Sequence, residues 1–527
     1  MWADISDRHE PNTRRALYQG NESSIFSSGT TKSIPPFSRP SVKLRSNPDV
    51  VLFTEVCSSG FGRYAGTYRI ASELRDSGYI VQVVEYFTKW STYELMSIIR
   101  KFVTKDCLWV VISTTFLSPD THRKRKDVLE APTSITGRND WAEISNYIKH
   151  CNPKCIIAAG GAKASMIPES DKTFDVLMVG QGENSAVRLS NALFEERRVP
   201  RLLDLPYTDY PNSTIKFEEN DLIFPGEHLP VEIARGCIFK CSFCNYPLNG
   251  KKLWEFNRKP HLVRQDIEDA HNKFGSTGFM FCDDNYNDSP EKVKRFHTEF
   301  TKLPYDIQFS TYARADLIIS KWDTAELLYE SGLRSVFFGI ESLNHQSAKS
   351  IGKGMDSEKI KDGLYKLKEQ CPEMIICIGM IVGLPYDTQE TLTKNNEWLL
   401  RDDCPVDGVT YHPLHISPTL PFIDNSKMSN DPDKYGYDVD EVGYWTRNDG
   451  FTKEQAIQLS EQLTADLQGD NDEMDRFGRV GSFTFFNRLQ NIGYTVDDFK
   501  QGRCTYKGVS EREMMMMHQY KKRLDDI

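Results

Sequence analysis

The chain has 527 residues, which at about 150 per domain allows about three folding units. Hydrophobic residues at 39% and charged residues at 27% are enough to bury a core, and Lys plus Arg at 65 against Asp plus Glu at 75 leaves a net charge of −10. That balance excludes the broad basic footprint of non-specific nucleic-acid binding. No apolar run reaches the roughly 18 residues of a spanning helix, and MWADISDRHEPNTRR lacks the apolar stretch of a secretory signal, so a cytoplasmic protein without membrane contact is expected. Twelve cysteines are too sparse for a disulfide scaffold, and where clustered they point to metal or redox chemistry.

Residues 1–46 are rich in Ser, Thr, Pro, Asn and Arg and read as a flexible arm. From 47 to 200, short apolar runs alternate with amphipathic helical stretches. The runs are Asp49–Thr54, Ile80–Tyr86, Leu108–Ser113, Cys155–Gly161 and Val176–Val179. The helical stretches include one with Ile70 and Leu74 that stops at Gly78, then Leu95–Val103 and Trp141–His150, with a charged irregular segment at 120–139. This alternation predicts an α/β fold, a doubly wound, Rossmann-like parallel sheet with ligands at the C-terminal strand ends. A proline-marked linker spans 201–225. From 226 to 425 six strand–helix units resume at Leu229–Ala234, Gly278–Cys282, Ile307–Thr311, Ser335–Gly339, Ile375–Val382 and Gly408–His412, predicting a partial (β/α)6 barrel. Residues 426–527 read as a mostly helical extension, its last helix capped by Ser510 and Glu513, with the methionines at 514–517 as packing filler.

The sharpest local signal is RGCIFKCSFC. It places Cys237, Cys241 and Cys244 in a C-x3-C-x2-C array in a loop just beyond the first barrel strand, with Gly236 easing the turn. At this cysteine frequency, chance would supply roughly 0.006 such arrays in the chain. Three soft thiolates suit iron–sulfur or zinc chemistry. A structural zinc site wants a fourth ligand, and no second Cys pair or Cys/His partner lies nearby in sequence. A [4Fe–4S] cluster on three cysteines leaves one iron free for a substrate or cofactor.

The array resembles the signature of radical S-adenosylmethionine (SAM) enzymes. The resemblance implies that the free iron chelates the amino and carboxylate groups of SAM, and that one electron from the cluster cleaves the sulfonium bond to give methionine and a 5′-deoxyadenosyl radical. It extends over most of the barrel and implies SAM contacts from Phe243, beside the last cysteine; Asp283 and Asp284 in FMFCDDNY; Arg314 in STYARAD; Gly339 and Glu341 in FGIES; and Ile381 and Gly383 in GMIVGLP. After the sixth strand, HISPTLPF departs from the family's Pro-Gly-Thr turn. No catalytic residue beyond these is identified.

The 47–200 segment resembles the cobalamin-binding domain that precedes many radical SAM barrels. The matching features are Ser113 and Thr114 in ISTT, Gly160 and Gly161 in AAGG, and Gly180, Gly182 and Glu183 in VGQGE. The hydroxyls would meet the corrin edge and the glycines would let backbone approach a flat ligand. No Asp-x-His-x-x-Gly stretch supplies a lower axial histidine. The implied function is radical chemistry on an unidentified substrate, in the form of cobalamin-dependent methyl transfer or rearrangement, with a reducing partner such as flavodoxin or ferredoxin. A methylthiotransferase acting on tRNA stays open; it would need a second cluster, for which Cys57, Cys107 and Cys155 are available. So does a non-catalytic iron–sulfur module.

Overall fold

The computed structural model describes residues 47–56, 61–115, 117–118, 136–137, 140–161, 164–167, 171–207, 209–246, 248–416, 426–441, 443–468, 483–501 and 503–526. The expected arm at 1–46, nearly all of the irregular segment at 120–139, Cys57, and residues 417–425 after the sixth barrel strand lie outside the described residues. The chain divides into two compact units, one built essentially from residues up to Leu222 and the other from Ile223 onward, with short exchanged pieces at 58–62 and 210–213.

In the first unit the apolar runs become β1 (Val50–Phe53), β2 (Val81–Val84), β3 (Trp109–Ser113), β4 (Ile156–Gly160), β5 (Val176–Met178) and β6 (Leu202–Leu203). All pairings are parallel and the order is β2-β1-β3-β4-β5-β6. Burial on both faces explains why β1 reads as an unbroken apolar run, and in β2 the one polar residue, Gln82, is itself buried. The crossovers are α1 (Ala65–Asp76), α2 (Thr92–Phe102), α3 (Trp141–Cys151) and α4 (Gly182–Phe194). Ser91 opens α2 with a full capping box to Glu94, and Gly78 at φ +86 turns the chain out of α1. The segment expected as linker contributes a strand: Leu202 and Leu203 pair with Leu177 and Met178 and complete the sheet.

The second unit holds a six-stranded all-parallel sheet in strictly sequential order, the architecture of a partial barrel. Its strands are β7 (Leu229–Val231), β8 (Gly278–Phe281), β9 (Gln308–Ala313), β10 (Leu333–Glu341), β11 (Ile375–Val382) and β12 (Gly408–Pro413). Helices α5 (Pro260–Phe274), α6 (Pro290–Phe300), α7 (Ala315–Ser320), α8 (Asp323–Glu330), α9 (His345–Ser350), α10 (Ser357–Gln370) and α11 (Gln389–Leu400) connect them. Phe281 on β8 stacks on Phe309 of β9 at 4.2 Å, Tyr286 and Phe300 close around the pair, and Phe296 packs behind them. At about 0.5–1.5 kcal/mol per aromatic pair beyond area burial, this layer fixes α6 against the end of β8, where the site begins. A register shift between Gly339 and Glu341 interrupts the β10–β11 ladder and re-aims the end of β10.

The extension contains α12 (Lys427–Asn430), a hairpin of β13 (Tyr437–Val439) and β14 (Trp445–Arg447), then α13 (Lys453–Gln468), α14 (Phe483–Asn491), α15 (Val496–Lys500) and α16 (Tyr506–Asp526). Two expectations need correction here. The last helix begins a full turn before Ser510, and Thr505 caps it by accepting from the Gly508 N–H at 2.9 Å. Of the four methionines, Met514 and Met515 are exposed and only Met517 is buried, so the run is not uniformly packing.

Candidate functional site: a cysteine loop at the strand ends

The C-terminal end of β7 runs into a long loop, residues 232–259, that carries all three cysteines. Gly236 sits at φ +72, and a Cβ there would lie 2.5 Å from Leu248 Cβ and 2.6 Å from its carbonyl oxygen. Only glycine permits this close return. The returning segment is pinned by Gly250 N–H donating to Cys237 O at 2.8 Å and to Phe239 O at 3.1 Å. Cys244 N–H donates to Cys241 O at 3.2 Å and closes the turn between the second and third cysteines. Ser242 N–H donates to Ile351 O at 3.1 Å, which ties the loop to the end of α9.

The three thiols are half-buried and unbridged. Burial pushes the Cys237 thiol up to about 11, with Cys241, Asp284 and Asp288 adding to the shift, and burial likewise raises Cys244. Asn249 Nδ2 lies 3.1 Å from Cys244 Sγ, and Arg314 Nη1 lies 3.5 Å from Cys241 Sγ. Donors aimed at sulfur suit thiolates better than thiols, whose sulfur is a weak acceptor. Among the described residues no three His, Cys, Asp or Glu side chains gather tightly enough to hold a single metal ion. A [4Fe–4S] cluster places each thiolate on a different iron, so three separated soft donors on one loop fit it.

The structure gives several expected SAM residues other work. Asp283 is 1% exposed; its Oδ1 accepts from the Ile233 and Ala234 N–H groups at 3.1 and 3.0 Å, and its Oδ2 pairs with buried Lys292 at 2.8 Å. It roots the cysteine loop on β8, and three of its roughly four acceptor positions are taken. Asp284 faces solvent from a recess and accepts from Gly236 N–H at 2.8 Å. Lost hydration, then Asp283 and Glu232, push its carboxyl up to about 6 against the lowering Gly236 bond. Arg314, at the end of β9, grips Asp316 through Nε and Nη2 at 3.0 and 2.7 Å and lies over Phe239 at 4.2 Å. Its remaining edge meets Cys241 rather than an open carboxylate site. Gly383, at φ +101, is packed by Trp445: a Cβ would fall 2.6 Å from that ring, so the glycine makes room for the extension.

Gly339 and Glu341 stand at the end of β10, Ile381 near the end of β11, and Phe243 in the cysteine loop. Glu341 stands at φ +69 and pairs with Lys353 at 3.1 Å. A Cβ on Gly339 would lie 2.5 Å from Glu341 Oε1, so the glycine makes room for that carboxylate. Lys353 Nζ sits 6.0 Å from the Phe243 ring centroid, and Ile381 is half-exposed at the end of β11. Sequence reasoning missed Lys353, Lys292 and Asn249. The Asn249-Gly250 dipeptide is a turn signal that could have marked the loop's return; nothing local marks the two lysines.

In the first unit, Ser113 at the end of β3 is in register with Gly160 at the end of β4. Strand order reverses between β1 and β3, the point where doubly wound sheets open a ligand crevice. Ser113, Gly160 and Gly161 are half-buried there and Gly180 is exposed, which leaves a floor of small residues. A Cβ on Gly161, at φ +110, would meet Thr115 Oγ1 at 2.7 Å. Three of the residues expected near cobalamin make contacts within the protein. Thr114 is fully buried and its hydroxyl donates to Gly160 O at 3.0 Å. Gly182 lets α4 approach α1, since a Cβ would sit 2.9 Å from Ile70 Cδ1. Glu183 is buried against Arg69 at 3.7 Å. Among the described residues of this unit the one histidine is His150, near the C-terminal end of α3. That end leads into the start of β4, away from the strand ends.

Residues 231–399 match the family model "Radical SAM superfamily", and this part of the chain is a radical SAM domain. An uncharacterized methyltransferase of Pyrococcus horikoshii is 23% identical over 50% of this chain and 62% of its own length. The bacteriochlorophyllide d C-8(2)-methyltransferase of Chlorobaculum tepidum is 24% identical over 38% of this chain and 46% of its own. The chain therefore spans less than two thirds of these relatives. Among solved structures, the radical SAM methyltransferase TsrM from Kitasatospora setae superposes with a TM-score of 0.61 at 14% identity, over 90% of this chain and 99% of that one. The cobalamin-dependent SAM radical enzyme OxsB superposes with a TM-score of 0.53 at 15% identity, over 90% and 71%. Both likenesses are of fold.

Proposed function

We propose that this radical SAM chain is a methyltransferase-type enzyme in which Cys237, Cys241 and Cys244 hold a [4Fe–4S] cluster, SAM binds beside it, and the crevice of the first sheet holds cobalamin. The observation that carries the reading is the cysteine loop itself: three thiols on one glycine-turned loop after the first strand of a six-stranded parallel barrel, with two side-chain donors on their sulfurs. The cluster supplies one low-potential electron for cleaving the sulfonium bond of SAM, and cobalamin supplies a methyl carrier. This chain's residues bind and orient. Asp283 and Lys292 hold the root of the loop, Arg314 and Asn249 hold its sulfurs, and Glu341, Gly339, Phe243 and Ile381 shape the space where a nucleoside would lie. Ser113, Gly160, Gly161 and Gly180 form the floor for a flat ligand, with no histidine at the strand ends among the described residues. Bacteriochlorophyllide methylation by one relative makes a large planar substrate one class to screen, and a small acidic electron carrier of the flavodoxin or ferredoxin kind is the expected reductant.

The test is anaerobic reconstitution. The dithionite-reduced protein should form 5′-deoxyadenosine or transfer a methyl group from SAM, and should retain hydroxocobalamin near one per chain with a base-off spectrum. A protein that holds zinc in place of iron, or that leaves SAM untouched with a full cluster, would end the enzymatic reading. The methylthiotransferase reading draws on a tRNA-2-methylthio-N(6)-dimethylallyladenosine synthase of Staphylococcus epidermidis, 23% identical over 47% of this chain and 50% of its own length. It is disfavoured by Cys107 and Cys155. They are buried with sulfurs 4.0 Å apart, just before β3 and β4 begin, at the opposite edge of the sheet from the strand ends. The Cys107→Ala, Cys155→Ala double variant should keep wild-type iron, and a loss of half of it would revive a second cluster.

A further inference from the structure

We infer that Asn249 is a positioning residue whose side-chain amide, donated to Cys244, sets the reduction potential of the cluster; the inference deepens the radical SAM reading and rests on it. Asn249 ties the first and third cysteines together. Its backbone bridges Cys237, and its Nδ2 lies 3.1 Å from Cys244 Sγ and 3.2 Å from Cys244 O. Both neighbours are acceptors once the thiol is ionised, so the amide presents its NH2 edge to them. Arg314 makes the comparable approach to Cys241, but at 3.5 Å, and its charge is answered by Asp316 at 2.7 Å. The neutral amide is therefore the shorter of the two donors, and its effect is not offset by a counter-charge of its own.

The physical consequence follows from charge. Reduction adds one negative charge to the cluster and its thiolates, so a donor on a ligating sulfur stabilises the reduced form more than the oxidised one. A hydrogen bond to a charged group is stronger than one between neutral groups. Where part of that strength discriminates between the two oxidation states, the donor makes reduction more favourable by up to about tenfold. The Asn249 amide thus raises the potential within reach of a biological electron carrier, while the half-buried loop keeps it low enough for sulfonium cleavage.

The experiment is a redox titration of the reconstituted full chain, followed by the paramagnetic signal of the reduced cluster, with iron and sulfide counted first. Asn249→Leu keeps side-chain bulk and removes the donor. With wild-type iron content, its reduction should become less favourable by up to about tenfold, a midpoint up to about 59 mV more negative. Asn249→Gln, which keeps an amide, should recover most of the shift. Asn249→Asp, with the same shape and no donor, should move the midpoint in the same direction as leucine. A full cluster with an unchanged or raised midpoint in Asn249→Leu and Asn249→Asp overturns the inference. So does failure of both variants to load iron when wild type loads, because Asn249 would then be only a staple of the loop. A wild-type chain that assembles no cluster overturns the family reading instead, and the iron count separates that failure from the others.

Discussion

Replacing Asp283 by asparagine tests whether this carboxylate holds the cysteine loop or binds SAM. The side chain is 1% exposed, as is its partner Lys292. The substitution leaves an ammonium in the interior with the Asp288 carboxylate at 3.9 Å and the Asn285 carbonyl at 3.3 Å to answer it. Breaking a buried ion pair by removing one partner costs about 3–5 kcal/mol; the Asp288 carboxylate softens this, so about 3 kcal/mol is expected. Asp283→Leu goes further, because the Ile233 and Ala234 N–H groups lose their acceptor as well, and each buried orphan adds about 1–3 kcal/mol. Adding Lys292→Met to Asp283→Asn should recover part of the loss, since no uncompensated charge then stays buried. Urea unfolding of the reduced apoprotein, followed by the signal of the barrel tryptophans, gives the stabilities; iron per chain after reconstitution reports the loop. The expected order of stability is wild type, then the double variant, then Asp283→Asn, then Asp283→Leu, with iron loading falling in parallel. If Asp283→Asn kept full stability and full iron while SAM affinity dropped, the assignment of Asp283 to the loop would be wrong.

Two further outcomes follow from the barrel and its extension. Burial pushes the Asp387 carboxyl up to about 7, against lowering bonds from Ser347 Oγ at 2.6 Å and Ser342 Oγ at 3.3 Å. From about 3.9, the unfolded value, to about 7 the folded chain keeps a proton that the unfolded chain has released, so stability from this group falls as pH rises and is flat above about 7. Asp387→Asn should remove that slope from unfolding midpoints measured across the window, and an unchanged slope would reject the assignment. Gly383→Ala forces a side chain onto φ +101 and a Cβ to 2.6 Å from Trp445. A loss of about 2–3 kcal/mol with altered Trp fluorescence is expected, and a neutral result would show that the contact yields freely.

Both sheets follow from local pattern: apolar runs of strand length, helical periodicity between them, and glycine or proline punctuation set each element to within a few residues. The cysteine loop was equally readable, because C-x3-C-x2-C is a spacing within one short segment and the strand before it fixes its place. The same local logic failed where a residue's work depends on what arrives from elsewhere in the chain. Asp283 and Glu183 looked like strand-end ligands, yet Lys292 and Arg69 claim them. Gly182 and Gly383 looked like ligand approaches, yet Ile70 and Trp445 occupy the space a Cβ would need. Lys353 meets Glu341 across the turn of α9, and Asn249 reaches Cys244 only because Gly236 lets the loop double back. Spacing along the chain determines which backbone hydrogen bonds can form, and so the elements. Which carboxylate is left free for a ligand depends on burial, and in the interior each charge must find a partner that only the folded packing brings within reach.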